Sequence, residues 1–215
     1  TSLNSTQASA ATLSASTQPS GTTLTFTPIA DATLKLATPT TNFGTDSKLE
    51  ADASPVEEFL FKFSVSGIGS QTVASAKLRL YNINPSDKGG DIRRVTDSSW
   101  SETSVTAANA PAADASVVTS LGPVVINTWY EADITSLVAS DGIYSMKVTS
   151  ASTDGADYTS REGAAGFRPE LVVSLGQQVI PSGDTSAPTG VGNVFPTHGA
   201  TNISTTPTLM AAAAT

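Results

Sequence analysis

The side chains best suited to chemistry in this chain are carboxylates, a few cations and some aromatic rings. His198 is the only histidine and cysteine is absent. Neither a Ser-His-Asp nor a Cys-His set can therefore be assembled within the strand-rich region, and thiolate metal sites are excluded. His198 stands beside Gly199 near the C-terminal end and reads as an exposed turn residue. Glycoside cleavage needs two carboxylates facing each other across a cleft. The available pairs are Glu57 with Glu58, Glu131 with Asp133, and Asp154 with Asp157. Glu131 and Asp133 are two apart in an extended segment and share a face, which a solvated sheet face also explains. No cleft-forming insertion accompanies any pair, so catalysis is not expected.

Two binding chemistries fit better. Asp154 and Asp157 bracket a short Gly-Ala loop, while Asp31, Asn42 and Asp46 supply a second group of oxygen donors. Such donors suit a structural calcium ion, and they also cap Asx turns with no ion at all. EF-hand spacing is absent. The second chemistry belongs to Lys77, Arg79 and Tyr81, which alternate along one extended stretch, together with Arg161. A guanidinium fork matches a carboxylate bidentately and Tyr81 offers a stacking face, so these four residues are candidates for binding acidic sugars such as uronates. Arg161 beside Glu162 reads equally as an ion pair fixing a loop. Core packing is expected of both Trp100 and Trp129.

These groups need a scaffold, and the composition supplies one. The chain has 215 residues, 39% of them hydrophobic, enough for one domain or one domain with a fragment. Phe59, Phe61, Phe63, Leu78, Leu80, Tyr81, Val172 and Val173 concentrate the apolar content between positions 30 and 175. Net charge is −8 with 11 basic residues, so no basic face exists to displace the counterions of a nucleic acid. No apolar run reaches the ~20 residues that cross a bilayer. Thr1 is neither an initiator Met nor part of a signal pattern, which reads as a processed or excerpted chain. Two Asn-x-Ser/Thr sequons, at Asn4 and Asn202, are candidates for glycosylation, although Ser and Thr are frequent enough to produce them by chance.

Alternation of apolar and polar residues predicts strands over 59–65, 75–81, 92–95, 117–121, 129–134, 144–148 and 171–175. Ser66-Gly67, Lys88-Gly89-Gly90, Asp141-Gly142 and Asp154-Gly155 supply the turns. No helix of ten residues is expected, and at most one short turn forms over 134–139. The fold class is all-β, an antiparallel jelly-roll-like sandwich over 28–176 with extended tails at both ends. Residues 1–27 are a Ser/Thr-rich tail in which Leu13, Leu24 and Phe26 mark a candidate donor strand. Residues 177–192 are a linker by composition. Residues 193–215 resemble the opening of a bacterial immunoglobulin-like domain, through Pro196-Thr197-His198-Gly199-Ala200-Thr201-Asn202 and the strand positions Ile203 and Leu209.

A longer ordered set of phrases runs from Ala30-Asp31-Ala32-Thr33 and Thr41-Asn42-Phe43-Gly44 through Phe61–Gly67, Ala74–Tyr81, Trp100-Ser101-Glu102 and Trp129–Thr135. It ends with Tyr158-Thr159-Ser160-Arg161-Glu162 and Arg168-Pro169-Glu170-Leu171-Val172-Val173. This set resembles the DNRLRE-type domain, grouped with alginate-type carbohydrate-binding modules. The resemblance implies a β-sandwich and a carbohydrate-binding or adhesion role. Ala107 and Ala108 stand where relatives often carry Trp and Asn, and Ser64 stands where they often carry Asp, so a sugar platform built on those positions is diminished.

Two functions follow. The tails favour a non-catalytic subunit of an extracellular filament or surface layer, polymerised with copies of itself when Leu13, Leu24, Phe26, Ile203 and Leu209 add strands to a neighbour. The resemblance favours the alternative, a module recognising acidic polysaccharide. Both place the chain outside the cell or at its surface.

Overall fold

The computed structural model describes residues 21–176. It is built on two long strands with different burial patterns. In β4 (Val56–Val65) Phe59, Phe61, Phe63 and Val65 are buried on one face. β5 (Val73–Asn84) buries Ala76, Leu78, Leu80 and Asn82 and turns Lys77, Arg79 and Tyr81 outward, the period-two alternation of a half-buried strand. Around them lie β1 (Thr23–Phe26), β2 (Ala30–Lys35), β3 (Lys48–Ala53), β6 (Gly90–Val95), β7 (Val117–Leu121), β8 (Thr128–Asp133), β9 (Gly142–Thr149), β10 (Ala156–Thr159) and β11 (Glu170–Leu175). Among the described residues a single 3-10 turn covers Thr135–Leu137, where one short turn is expected. Every strand pairing is antiparallel.

Hydrogen bonding runs through β1-β11-β5-β10-β3-β4-β9-β6-β7, with β2 added on β4 and β8 on β5. β3 pairs with both β4 and β10 and so joins the two halves of the sandwich. The predicted all-β class holds. Three strands lie beyond the predicted set. β2, β3 and β10 are short, and each carries an acidic residue (Asp31, Glu50 and Asp157) at a position where alternation alone reads loop.

The main core gathers the β4 phenylalanines with Leu78, Leu80, Leu171, Val173, Met146 and Tyr158. Phe59 meets Phe61 edge-on at 5.2 Å and Tyr158 at 5.9 Å, within the range aromatic pairs prefer. A second cluster lies on the other face of β4, where Leu60 packs with Ala30, Ala32, Leu34, Val95, Trp100 and Val105. Residues 96–116 therefore cover the outer face of this half, and Trp100 is buried as expected, its indole N–H donating to Ser145 Oγ at 3.2 Å.

The N-terminal boundary needs correction. Leu24 and Phe26 were candidates for donation to a neighbouring molecule, yet β1 pairs along its whole length with β11 of its own chain, Leu24 opposite Val173 and Phe26 opposite Leu171. Both side chains pack against the main core, so the cost of leaving them exposed is already met within the fold. The first strand thus lies inside the stretch assigned to the tail. Leu13, Asn4, Asn202, Ile203, Leu209 and the immunoglobulin-like segment fall outside the described residues.

Phe61 is wholly buried between two aromatic neighbours. Phe61→Ala is expected to cost about 3–5 kcal/mol of folding stability in urea unfolding; a loss below about 1 kcal/mol would contradict this packing.

Candidate functional site

The outward face of β5 and its two neighbours gathers half-buried rings and charges. Register sets the arrangement: across from β5, Lys77 faces Asp133, Arg79 faces Glu131 and Tyr81 faces Trp129 on β8. On the other side, Arg79 faces Glu170 of β11. Lys77 Nζ lies 2.8 Å from Glu131 Oε2. Arg79 sits between two carboxylates, with Nη1 2.5 Å from Glu170 Oε2 and Nε 3.4 Å from Glu131 Oε1. The hydrogen bond from Lys77 is the main cause holding Glu131 below the usual carboxylate range, and the same bond raises Lys77.

Three rings adjoin these charges. Tyr81 and Trp129 are 5.4 Å apart at 64°, Tyr81 and Phe167 are 4.3 Å apart at 37°, and the Arg79 guanidinium lies 4.7 Å from the Trp129 ring centre. Phe167, in the turn before β11, is 40% exposed. Trp129 was expected in the core. It lies on the outward face because Ala132 is the fully buried residue of β8 and Tyr130 packs against the core, leaving Trp129, Glu131 and Asp133 on the opposite side. The two-residue spacing from Glu131 and Asp133 was the available signal.

Arg161 does not join this face. It sits between Glu102 (2.6 Å) and Glu162 (3.2 Å), as the ion-pair alternative anticipated. The cluster centres on Asp31, which is only 1% exposed. Its Oδ2 accepts the Arg161 backbone N–H at 2.9 Å, and its own N–H donates to Glu102 Oε1 at 2.9 Å. Burial, the largest cause, pushes the Asp31 carboxyl up to about 8, with nearby Glu162 and Glu102 adding to the rise.

Asp31, Glu102 and Glu162 each bring a carboxylate oxygen within 4.8 Å of the others, a hard-cation donor set in which Arg161 already supplies one positive charge. Of the residues expected as calcium donors, this set includes Asp31 alone. Asn42 is occupied as a loop pin, its Nδ2 donating to the carbonyls of Glu102 (2.7 Å) and Val105 (2.6 Å). Asp46 contributes only its backbone carbonyl, accepting from Ser160 Oγ at 2.6 Å. Asp154 accepts the Asp87 N–H at 3.2 Å while Asp157 faces Lys48 at 3.2 Å, and no carboxylate group among the described residues joins these two. Glu102 and Glu162 were missed as partners of Asp31 because they lie far away in sequence.

Comparison with known families settles the lineage. The model of carbohydrate-binding module family 96 matches residues 22–175. The chain belongs to this family. The matched span of the family 96 module opens one residue before β1 and closes at the last residue of β11, so β1 falls inside the matched span. No curated protein matches the chain. No helix among the described residues is long and apolar enough to cross a membrane.

Since the Asp31 carboxyl has a higher pKa in the fold than its ordinary 3.8, the folded module holds a proton that the unfolded chain releases across the interval from about pH 4 to about 8. Its contribution to stability is therefore fullest at the acid end and falls as pH rises through that interval. Asp31→Asn should gain stability relative to the parent between about pH 5 and 8, by at least about 1 kcal/mol given about 1.4 kcal/mol per pKa unit. Thermal unfolding of both proteins at the two pH values measures this, and a pH-independent difference would refute it.

Proposed function

We propose that this family 96 module is a non-catalytic carbohydrate-binding unit that works outside the cell and takes its ligand on the exposed β8-β5-β11 face. The observation that carries this reading is the cluster of Trp129, Tyr81 and Phe167 beside Arg79 on one open sheet face. Aromatic rings supply rigid apolar surface for the C–H faces of pyranose rings, while adjacent polar groups meet the hydroxyls. Trp, Tyr and Arg are also the residues that most often dominate binding energy.

Of the four candidate sugar-binding residues, Lys77, Arg79 and Tyr81 belong to this face and Arg161 does not. The finer reading, recognition of acidic polysaccharide by a DNRLRE-type domain, depends on how much positive charge the face leaves free. Binding takes precedence over filament assembly because β1 is paired within its own sandwich.

A panel of immobilised polysaccharides tests the reading. Trp129→Ala is expected to weaken retention on the bound glycan about tenfold or more, and Tyr81→Ala to weaken it as well, with both variants keeping the parental β-sheet circular dichroism. Retention untouched by either substitution would remove this face from consideration.

A further inference from the structure

Resting on the binding face just proposed, we infer that Arg168, rather than Lys77 or Arg79, reads the negative charge of an acidic sugar. The two cations expected for this task already have carboxylate partners. Arg79 is flanked by Glu131 and Glu170, and Lys77 is bonded to Glu131 with Asp133 also close enough to raise it. A sugar carboxylate brought to either cation meets these like charges at short range.

Arg168 is different. Among the described residues it makes no salt bridge with any carboxylate, and it is exposed. It directly follows Phe167, whose ring packs on Tyr81, and it lies two residues before Glu170, the partner of Arg79 across the strands. Its backbone therefore adjoins the aromatic cluster at Phe167, on the side of the loop that carries Gly163. Its Nε donates to the Gly163 carbonyl at 3.2 Å, which anchors the side chain while both Nη groups keep their N–H bonds for a ligand. Such a fork matches a carboxylate through two parallel bonds.

The anchor is itself fixed. A Cβ at Gly163 would come within 2.2 Å of Thr159 Cγ2 and 3.0 Å of the Ser47 carbonyl, so the backbone there is packed against its surroundings. Pro169 follows Arg168, is buried, and locks its own φ. A guanidinium held ready loses less freedom on binding than a free one. The other cations that make no salt bridge among the described residues lie elsewhere: Arg93 and Arg94 on β6, and Lys62 on β4 over the Trp100 ring.

Affinity electrophoresis in gels containing alginate, pectate or a neutral glucan tests the assignment, using Trp129→Ala, Arg168→Ala, Arg168→Lys, Lys77→Ala and, as a remote control, Lys88→Ala. Arg168→Ala should weaken retardation by a polyuronate about tenfold or more, Arg168→Lys should fail to restore it, and Lys88→Ala should behave as the parent. Parental retardation of Arg168→Ala in the polyuronate gels, or an equal loss in Lys77→Ala, would overturn the role of Arg168. A parent retarded only by neutral glucan in a Trp129-dependent manner would overturn it too, while leaving the face intact. Retardation unaffected by Trp129→Ala in every gel would instead sink the face itself.

Discussion

The structure depends on the different faces of β4 and β5. β4 buries apolar side chains on both sides, Phe59, Phe61 and Phe63 toward the main core and Leu60 toward a second cluster. β5 is buried on one side only and shows charge and aromatic surface on the other. Water exclusion from apolar surface drives both patterns, yet their consequences are opposite. Leu60 on the second face of β4 requires a cover, and residues 96–116 supply it with Trp100 and Val105. A strand that alternates needs none, so its outward side chains stay available to a partner. One half of the sandwich is therefore closed and the other open.

The closed half is held by polar chemistry at its margin as well as by packing. Glu102 accepts from the Asp31 backbone and from Arg161, tying the covering segment to β2 and to the turn after β10. Asn42 bonds two carbonyls of the same segment, and Gly44 approaches it so closely that a Cβ would fall 2.1 Å from the Glu102 carbonyl oxygen. Lys62 closes the opposite side, its ammonium 4.4 Å from the Trp100 ring centre and bonded to the Trp100 carbonyl. Buried or half-buried charges are tolerated where each finds partners, and here the partners come from four separate stretches of chain. This cluster is best understood as a clasp.

Much of the fold was legible in the sequence because burial imposes a period. β5 and β11 follow apolar alternation closely, and the Phe59, Phe61 and Phe63 spacing marks β4. β2, β3 and β10 were hidden because their inward or interfacial positions include Asp31, Glu50 and Asp157, whose partners (Arg161, Lys35 and Lys48) come from other strands or loops. The same limit applies to the sites. Lys77, Arg79 and Tyr81 were readable as one face, since two-residue spacing is local information. Trp129 and Phe167 joined that face only through the β5-β8 register and a turn. Arg161 left it because a carboxylate 59 positions away claimed it. Local periodicity shows which way a side chain points; what it meets there is decided by pairing across the sheet.

The tilt between the outward rings has a consequence for the shape of whatever lies on them. With Tyr81 inclined 64° to Trp129 and 37° to Phe167, the three do not form a plane. On the binding reading proposed above, a rigid, flat surface would stack face to face on only one of them at a time. A flexible solitary strand of sugars, able to rotate about its linkages between residues, can follow the step from one ring to the next.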